Sequence, residues 1–507
     1  MQPSLWFMRH IITTLLIGTS LVFGFTPASA YTLRYTDASG AVRVRWPSNT
    51  ITVMLSASLL DPPANIKATS GEVQNSVFNA LRRWEKAANI TFIIASSTRL
   101  SVNLGEKSDS INLITIAHTP ENSKFFNGAH SRDVARTRTL HDDNGALLEA
   151  DIALNPAQLF SADGAPGTYD LEAIFTHELG HLLGLGESSI LGATMSPRQG
   201  WNGLYHSVAW SGRSLSTDDI GGLNALYGSR QETEASGMIS GNLTWPGGQP
   251  AFGINVWAEE WTTGRVVAST ITLSKGEYRL EGLRLGLTYR LVAGALTGLL
   301  KPADFSGANA GYSGLQDLAT LPAFTEELKL ITLQGSSGYA SKQLREPTLK
   351  AAQPTLIGIN GELADVSVAL TAGQTYTLLV TGENMTAEKL LSVSVGSPFF
   401  IVSKNSLKIW DDKRNSSLAV PALSFVLEVS ANAPVGDYSL RFESADGVVV
   451  LPGVITVETS SFAGRLVSPR LRDDLAARPF AETAANPSFN GSMTLLSVVA
   501  DGNLKDK

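Results

Sequence analysis

The chain has 507 residues, enough for three or four domains of ordinary size. Hydrophobic residues make up 43% and charged residues 17%, which is typical of a globular protein and argues against a disordered one. Thirty-nine Lys and Arg against 46 Asp and Glu give a net charge of −7 without a long basic run, so a nucleic-acid partner is disfavoured. The absence of cysteine excludes a disulfide scaffold, a Cys-ligated zinc site and a thiol nucleophile.

Residues 1–30 predict a secretory signal peptide. Arg9 and His10 form a short basic flank, residues 11–25 are mostly apolar, and Ala28-Ser29-Ala30 offers a cleavage site. An uncleaved anchor is the alternative, but the apolar run is short for a membrane span. No later stretch has 18 consecutive apolar residues. We therefore expect a secreted protein with no transmembrane segment in the mature chain, located extracellularly or, in a bacterium, in the periplasm or at the cell surface.

In residues 31–230, the hydrophobic residues follow the period of helices in some segments and that of strands in others. One helical face is formed by Val73, Val77, Leu81 and Trp84. A second helix is predicted from Asp170, and a third from Ser216 to Tyr227 with Gly228 at its end. Strands are predicted at residues 46–55, 90–94, 111–117, 134–139 and 147–154.

The most informative segment contains the pattern H-E-x-x-H. On a helix, His177 and His181 share one face, so both imidazoles can reach one metal ion. Glu178 is rotated by about 100° from His177 and therefore lies beside the metal. Gly184 can adopt a left-handed conformation that ends the helix, after which Glu187 can approach the metal. Two histidines, one further ligand and a water describe a catalytic zinc site.

The same pattern also arises by chance in a helix with two partly buried histidines. We favour the zinc site because Gly184 and Glu187 have suitable offsets and because Met195 follows in a turn. His206 is an alternative source of the third ligand, and a degenerate site is a further alternative.

These residues resemble the signature of the metzincin metallopeptidases, H-E-x-x-H-x-x-G-x-x-H with a methionine turn, and most closely that of the matrixins. Residues 215–228 are similar to the closing helix of matrixin catalytic domains, and the resemblance extends over residues 42–228. It implies an α+β domain with a twisted, mostly parallel sheet and three helices. It also implies hydrolysis of peptide bonds in protein or peptide substrates with one catalytic Zn²⁺.

The resemblance assigns a role to each residue of the motif. His177, His181 and Glu187 would hold the zinc, Glu178 would be the general base, and Met195 would pack beneath the metal.

Two further segments receive roles from the same resemblance. Ala135, Arg136 and Thr137 would lie on an edge strand whose free backbone groups pair with an extended substrate. Residues 196–201 would wall the pocket for the residue after the scissile bond.

The chain departs from the matrixin pattern in three ways. The third ligand is Glu187, where the family usually has His or Asp, and the lack of cysteine argues against a cysteine-switch propeptide. Matrixins also carry a structural zinc. Histidines and an aspartate are present upstream, but their spacing does not reproduce that site, so we interpret them as surface residues: His118, His130, His141 and Asp142. Ca²⁺ could bind residues 142–144, although a hairpin turn explains them more simply.

The pattern of the remaining residues predicts an all-β structure. After a polar linker at residues 229–236, residues 236–348 resemble a carboxypeptidase-regulatory-like β-sandwich, and residues 354–458 resemble a bacterial Ig-like sandwich. Residues 459–507 form a polar tail that we expect to be disordered. Exposed aromatics in the first sandwich could contact carbohydrate, but core or hairpin positions explain them better: Trp245, Trp257 and Trp261.

Two functions follow from these features. The favoured one is a secreted zinc endopeptidase whose β modules target or space it. The alternative is a cell-surface or matrix-binding protein with a weakly active or inactive metzincin-like domain.

Overall fold

The computed structural model describes residues 33–36, 39–40, 42–207, 211–228, 236–296, 298–305, 321–347, 351–410, 421–458 and 493–494. The predicted signal peptide, most of the predicted linker and all but two residues of the predicted tail lie outside this part of the chain. None of the helices in the described ranges is long and apolar enough to cross a membrane.

The first module, residues 33–228, contains the α-helices of the described chain. They are α1 (Ser70–Ala87), α2 (Pro120–Phe125), α3 (Leu171–Leu182) and α4 (Thr217–Tyr227). Its strands are β1 (Thr50–Ser56), β2 (Ile66–Lys67), β3 (Thr91–Ser97), β4 (Leu113–Thr115), β5 (Ala135–His141), β6 (Leu147–Leu154), β7 (Phe160–Ser161) and β8 (Tyr169–Asp170). Short 3₁₀ turns lie at Ala57–Leu59, Gly128–His130, Leu204–His206 and Ser211–Arg213.

Local capping chemistry explains where the long helices begin. Thr69 and Glu72 form a capping box at α1, and Asp170 caps α3 by accepting a hydrogen bond from the backbone N–H of Ala173 at 2.9 Å. Ser216 caps α4, and Gly228 follows it at φ +77°. The predicted helical face of α1 is confirmed, since its four apolar residues are buried.

The main sheet of this module is mostly parallel, as predicted. Its strand order is β3-β1-β4-β6-β5, and β5 pairs antiparallel with β6. Strand β5 therefore lies at one edge, as the sequence predicted for Ala135, Arg136 and Thr137. A small parallel sheet, β2-β7-β8, lies beside it.

The site helix α3 is buried along its whole length. It packs on α1, where the indole Nε1 of Trp84 donates to the carbonyl of Thr176 at 2.8 Å. At its first turn, Glu172 accepts hydrogen bonds from Asn79 and Arg83. Helix α3 therefore lies inside the first module, where these hydrogen bonds fasten it to α1.

The rest of the described chain is β-structure apart from a 3₁₀ turn at Pro302–Phe305. The strands up to residue 343 are β9 (Ser236–Thr244), β10 (Asn255–Glu260), β11 (Arg265–Ile271), β12 (Glu277–Arg284), β13 (Thr288–Gly294), β14 (Thr325–Thr332), β15 (Ser337–Tyr339) and β16 (Lys342–Gln343). Those that follow are β17 (Gln353–Ile359), β18 (Glu362–Leu363), β19 (Val368–Leu370), β20 (Thr375–Glu383), β21 (Leu390–Val395), β22 (Phe400–Val402), β23 (Lys408–Trp410), β24 (Ala422–Val429), β25 (Gly436–Ser444), β26 (Gly447–Val457) and β27 (Met493–Thr494).

The two predicted sandwiches share one sheet. Its order is β14-β13-β10-β11-β25-β26-β19, with β21 also paired to β25. The junction is the antiparallel pairing of Arg265 with Tyr438 and of Val266 with Asp437. Smaller sheets cover it, one built on β9 with β12, β15 and β16, the other on β17, β20, β24, β22 and β23. We call residues 236–347 the middle β module and residues 351–458 the distal β module.

The tryptophans of the middle module differ in exposure. Trp257 is buried, as the core interpretation predicted, whereas Trp261 is 54% exposed.

We expect Trp84→Phe to lower the free energy of unfolding by about 1–3 kcal/mol. The substitution removes the hydrogen bond to Thr176 and leaves a small cavity between α1 and α3. Denaturant titration followed by circular dichroism measures the effect. The exposed control Trp261→Phe should stay within about 0.5 kcal/mol of the wild type, and equal losses in both variants would contradict this packing.

Candidate metal centre and substrate cleft

Three side chains converge at the end of α3. The Nε2 atoms of His177 and His181 lie 3.1 Å apart. The carboxylate of Glu187 lies 3.4 Å from Nε2 of His181 and 3.9 Å from Nε2 of His177. Among the described residues, they form the one group of three or more potential metal ligands with all donor atoms within 4.8 Å.

Backbone carbonyls favour the same tautomer in both histidines. Nδ1 of His177 lies 2.8 Å from the carbonyl oxygen of Thr194, and Nδ1 of His181 lies 3.0 Å from that of Leu185. Because a carbonyl oxygen only accepts, these contacts favour a hydrogen on each Nδ1 and a lone pair on each Nε2. The two Nε2 atoms are the ring nitrogens that approach the carboxylate of Glu187.

The donor set fits a zinc ion. Burial lowers the pKa of His177 and His181, which favours the neutral imidazole that a metal requires. One carboxylate oxygen of Glu187 is buried without a hydrogen-bond partner, and burial raises the pKa of this residue to about 7. A cation bound between the three groups would satisfy that oxygen, and two His with one Glu is an established zinc ligand set.

A glycine turn brings Glu187 back to the helix. Gly184 has φ +94°, and a Cβ atom there would lie 2.4 Å from the carbonyl oxygen of Val44. Only glycine fits this close approach. The chain reverses here as predicted, so the carbonyl of Leu185 reaches His181.

Met195 contacts α3 at Gly180. A Cβ atom on Gly180 would lie 2.2 Å from the sulfur of Met195 and 3.0 Å from Trp84. The turn that holds Met195 is fixed by Asp219, whose carboxylate accepts the backbone N–H groups of Thr194 and Met195 at 2.9 and 3.1 Å. Met195 therefore packs against α3 at Gly180, which lies between the two histidines in the sequence.

Glu178 lies beside the three ligands and contacts the edge strand. Its carboxylate accepts a hydrogen bond of 2.6 Å from the hydroxyl of Thr137, which also lies 3.0 Å from the Glu178 carbonyl. Burial raises the pKa of Glu178 to about 7, although Thr137 and His181 act in the opposite direction. Sequence reasoning selected Thr137 for its backbone and missed this side-chain contact.

The other residues of the edge strand have different surroundings. Ala135 is buried. The guanidinium of Arg136 lies 4.4 Å from the ring centre of Phe125 and donates to the Phe125 carbonyl. The side chain of Arg136 is thereby held against α2.

The alternative third ligand, His206, lies outside the ligand group. It is buried in the 3₁₀ turn Leu204–His206, where it and Tyr205 both have φ +56°. The structure thus brings Glu187, and not His206, to the two histidines of α3.

The upstream histidines do not meet one another. His118 contacts Asn65 at 2.8 Å, and His130 contacts Asp133 at 2.9 Å. Nδ1 of His141 lies 2.9 Å from the carbonyl of Asp142, the residue that begins the hairpin turn.

The carboxylates of Asp142 and Asp151 accept hydrogen bonds from backbone N–H groups in this part of the first module. One carboxylate oxygen of Asp142 accepts the backbone N–H groups of Asn144 and Ala146, as a hairpin turn requires. Asp151 accepts those of Asn103 and Leu113 at 2.7 and 2.8 Å, which fastens the β3–β4 loop to β6.

A cavity of about 70 Å³ lies one residue away from His177, which does not itself line it. Ala173, one turn before His177 on α3, lines it together with Gln199, whose amide nitrogen lies 3.0 Å from Nδ1 of His177. The predicted wall segment, residues 196–201, contributes four lining residues, from Arg198 to Trp201. Residues of the distal β module line the same cavity: Val366, Ser367 and Ala369.

Comparison with known proteins agrees with this geometry. Residues 45–228 match the family model of the matrixins. The match confirms the resemblance for the first module, including the ligand helix and the closing helix α4.

Several curated metalloproteinases are similar to the same part of the chain. Metalloendoproteinase 1-MMP of Arabidopsis thaliana is 27% identical over 209 residues, which is 39% of this chain and 48% of the relative. Human matrix metalloproteinase-20 is 28% identical over 192 residues, 37% of this chain and 33% of the relative. Rat matrilysin is 39% identical over 70 residues, 14% of this chain and 24% of the relative. The chain thus spans less than half the length of these relatives.

Solved structures resemble the chain only weakly. The major pilin subunit BcpA of Bacillus cereus has 14% identity, 44% of this chain covered, 70% of the pilin covered and a TM-score of 0.13. A membrane-anchored protein from Corynebacterium diphtheriae has 9% identity, coverages of 46% and 62% and a TM-score of 0.18. Similarity at this level supports no conclusion about the β modules.

We expect Gly180→Ala to destabilise the protein by about 1–3 kcal/mol, because its methyl group would overlap Met195 and Trp84. Gly71→Ala is the matched control, since a Cβ atom at this helical glycine meets nothing within 4 Å. The control should be neutral or gain roughly 0.4–1 kcal/mol. Thermal and denaturant unfolding compare the two, and an equal response would contradict the close contact between α3 and Met195.

We expect the full chain to bind one Zn²⁺ and Glu187→Gln to weaken that binding. The loss should exceed the 10–100-fold that is typical of removing an outer-shell partner, because a direct ligand is lost. Competition with a chromophoric chelator measures the affinity. The control His206→Gln should retain wild-type affinity, and a larger loss there than in Glu187→Gln would exchange the roles of the two residues.

Proposed function

We propose that the chain is a secreted zinc endopeptidase. The observation that carries the proposal is the convergence of the lone pairs of His177 and His181 with the carboxylate of Glu187, beside the separate buried carboxylate of Glu178. A structural metal site needs no such additional base, whereas hydrolysis does. The matrixin match over residues 45–228 supports the same activity, and the signal-peptide pattern supports secretion.

The residues of the site divide the chemistry among them. A zinc ion held by the three ligands would supply Lewis acidity toward a water molecule and a peptide carbonyl. Glu178 accepts the proton of the attacking water and later delivers it to the nitrogen of the leaving amine. Burial raises the pKa of Glu178, which favours its uptake of the water proton.

Thr137 orients the general base. Its hydroxyl holds one carboxylate oxygen of Glu178 at 2.6 Å, which leaves the second oxygen for the water proton. Because Thr137 lies on the edge strand β5, a peptide that pairs with this edge is placed next to the base that serves it.

We expect the full chain to cleave unstructured protein such as casein, and Glu178→Gln to lose at least about 10²–10⁴-fold in kcat/KM. The exposed Glu106→Gln is the matched control and should keep the wild-type rate. Removal of zinc by a chelator should abolish turnover, and added Zn²⁺ should restore it. Cleavage products are quantified by mass spectrometry.

The outcome separates the two functions. Turnover that survives Glu178→Gln would overturn the assigned mechanism. A folded wild type that neither binds zinc nor cleaves unstructured protein would instead support the alternative, a surface- or matrix-binding protein with a degenerate site.

A further inference from the structure

The wall segment of the cleft is fastened to both β modules by one arginine. Nη2 of Arg198 lies 2.7 Å from the carboxylate of Asp304 in the middle module, and Nε lies 3.1 Å from that of Asp365 in the distal module. Nε also donates to the carbonyl of Leu299. Arg198 is only 19% exposed at its side chain, so these ion pairs are shielded from solvent more than surface pairs are.

The chain is held a second time at Tyr205, four residues after the wall segment. The hydroxyl of Tyr205 is within donating distance of the carbonyls of Ile357 and Val366, at 2.9 and 3.1 Å. The backbone N–H of Tyr205 donates to Glu362, and the side chain of Asn360 donates to its carbonyl. Since Tyr205 adopts a left-handed conformation, these contacts fix a backbone geometry that the segment would not prefer alone.

Between these two attachments, the distal module lines part of the cavity to which Gln199 contributes. Val368 and Leu370 are buried in the distal module and lie on β19, which pairs with β26. Because side chains alternate along a strand, Ala369 points the other way, toward the first module. Ala369 accordingly lines the cavity, and Val366, which precedes the strand, lines it as well.

The cavity is apolar on most sides. Its apolar lining comes from both modules: Ala173, Leu191, Trp201, Leu204, Val366 and Ala369. Its volume of about 70 Å³ exceeds the roughly 10–15 Å³ that holds one water molecule, so it has room for a side chain of several heavy atoms.

We infer that Val366 and Ala369 of the distal β module are specificity-determining residues, which close the pocket for an aliphatic side chain of the substrate next to the scissile bond. This inference rests on the proposed peptidase function. It gives the distal module a direct part in substrate selection, beyond targeting or spacing.

The test uses the full chain and a set of peptides that differ only in the residue after the scissile bond, which is first located by mass spectrometry of cleaved casein. Ala, Val, Leu and Phe at that position report pocket size through kcat/KM. Ala369→Leu fills the cavity, Ala369→Gly enlarges it, and the exposed Ala431→Leu on the same module is the matched control.

We expect Ala369→Leu to lower kcat/KM for the Leu peptide at least about tenfold relative to the Ala peptide, since one methylene in an apolar pocket changes discrimination by about 10–200-fold. Ala369→Gly should shift the preference toward larger side chains, and Ala431→Leu should leave the profile unchanged. If Ala369→Leu does not fold, the peptide preference of the smaller change Ala369→Gly tests the inference.

Two failures are distinguishable. If the wild type cleaves peptides and both Ala369→Leu and Ala369→Gly keep its peptide preference, this inference is overturned and the proposed peptidase function stands. A zinc-loaded wild type that cleaves nothing would overturn the proposed function, and this inference with it.

Discussion

The buried carboxylate of Asp219 holds the turn on which the metal centre depends. It accepts the backbone N–H groups of Thr194 and Met195, and that of Ser216 at the start of its own helix. With its N–H group fixed in this way, Thr194 presents its carbonyl to Nδ1 of His177 and sets the tautomer that leaves Nε2 free. The same turn places Met195 against Gly180 of the ligand helix. One side chain therefore fixes both the orientation of a ligand and the packing beneath it.

The neighbouring residue extends this arrangement to the β modules. Asp218 accepts a hydrogen bond from the hydroxyl of Ser188, next to the ligand Glu187, and another from the backbone N–H of Ser269 on β11. Burial raises the pKa of Asp218 to about 8, so its hydrogen bonds offset the cost of enclosing an ionised carboxylate only in part. The hydrogen bond from Ser269 to Asp218 and the ion pairs of Arg198 therefore connect the segments around the candidate metal centre to the β modules. Without cysteine, the chain makes these long-range connections with carboxylates instead of disulfides.

The parts of the site that the sequence predicted are those encoded within a few residues of one another. The cap at Asp170, the i, i+4 pair of histidines and the left-handed Gly184 each follow from local chemistry, and so does the approach of Glu187. The contact of Thr137 with Glu178 could not be predicted, because it depends on which face of β5 meets α3. The pairing of β11 with β25, which joins the two expected sandwiches into one sheet, could not be predicted either. Alternation along a strand indicates which face is buried, but it does not identify the partner of an edge.

Glu187 as the third ligand is consistent with how deeply this site is enclosed. Glu178 and Glu187 each have a pKa raised to about 7, because burial removes the water that would stabilise an ionised carboxylate. A bound divalent cation would offset both charges, so a cluster of two neutral imidazoles, two carboxylates and one dication would have no net charge. Three imidazoles with one carboxylate would leave a net positive charge in the same place. Since the cost of burying an ionic cluster falls when its charges are compensated, the glutamate suits a centre whose three candidate ligand side chains are at most 14% exposed.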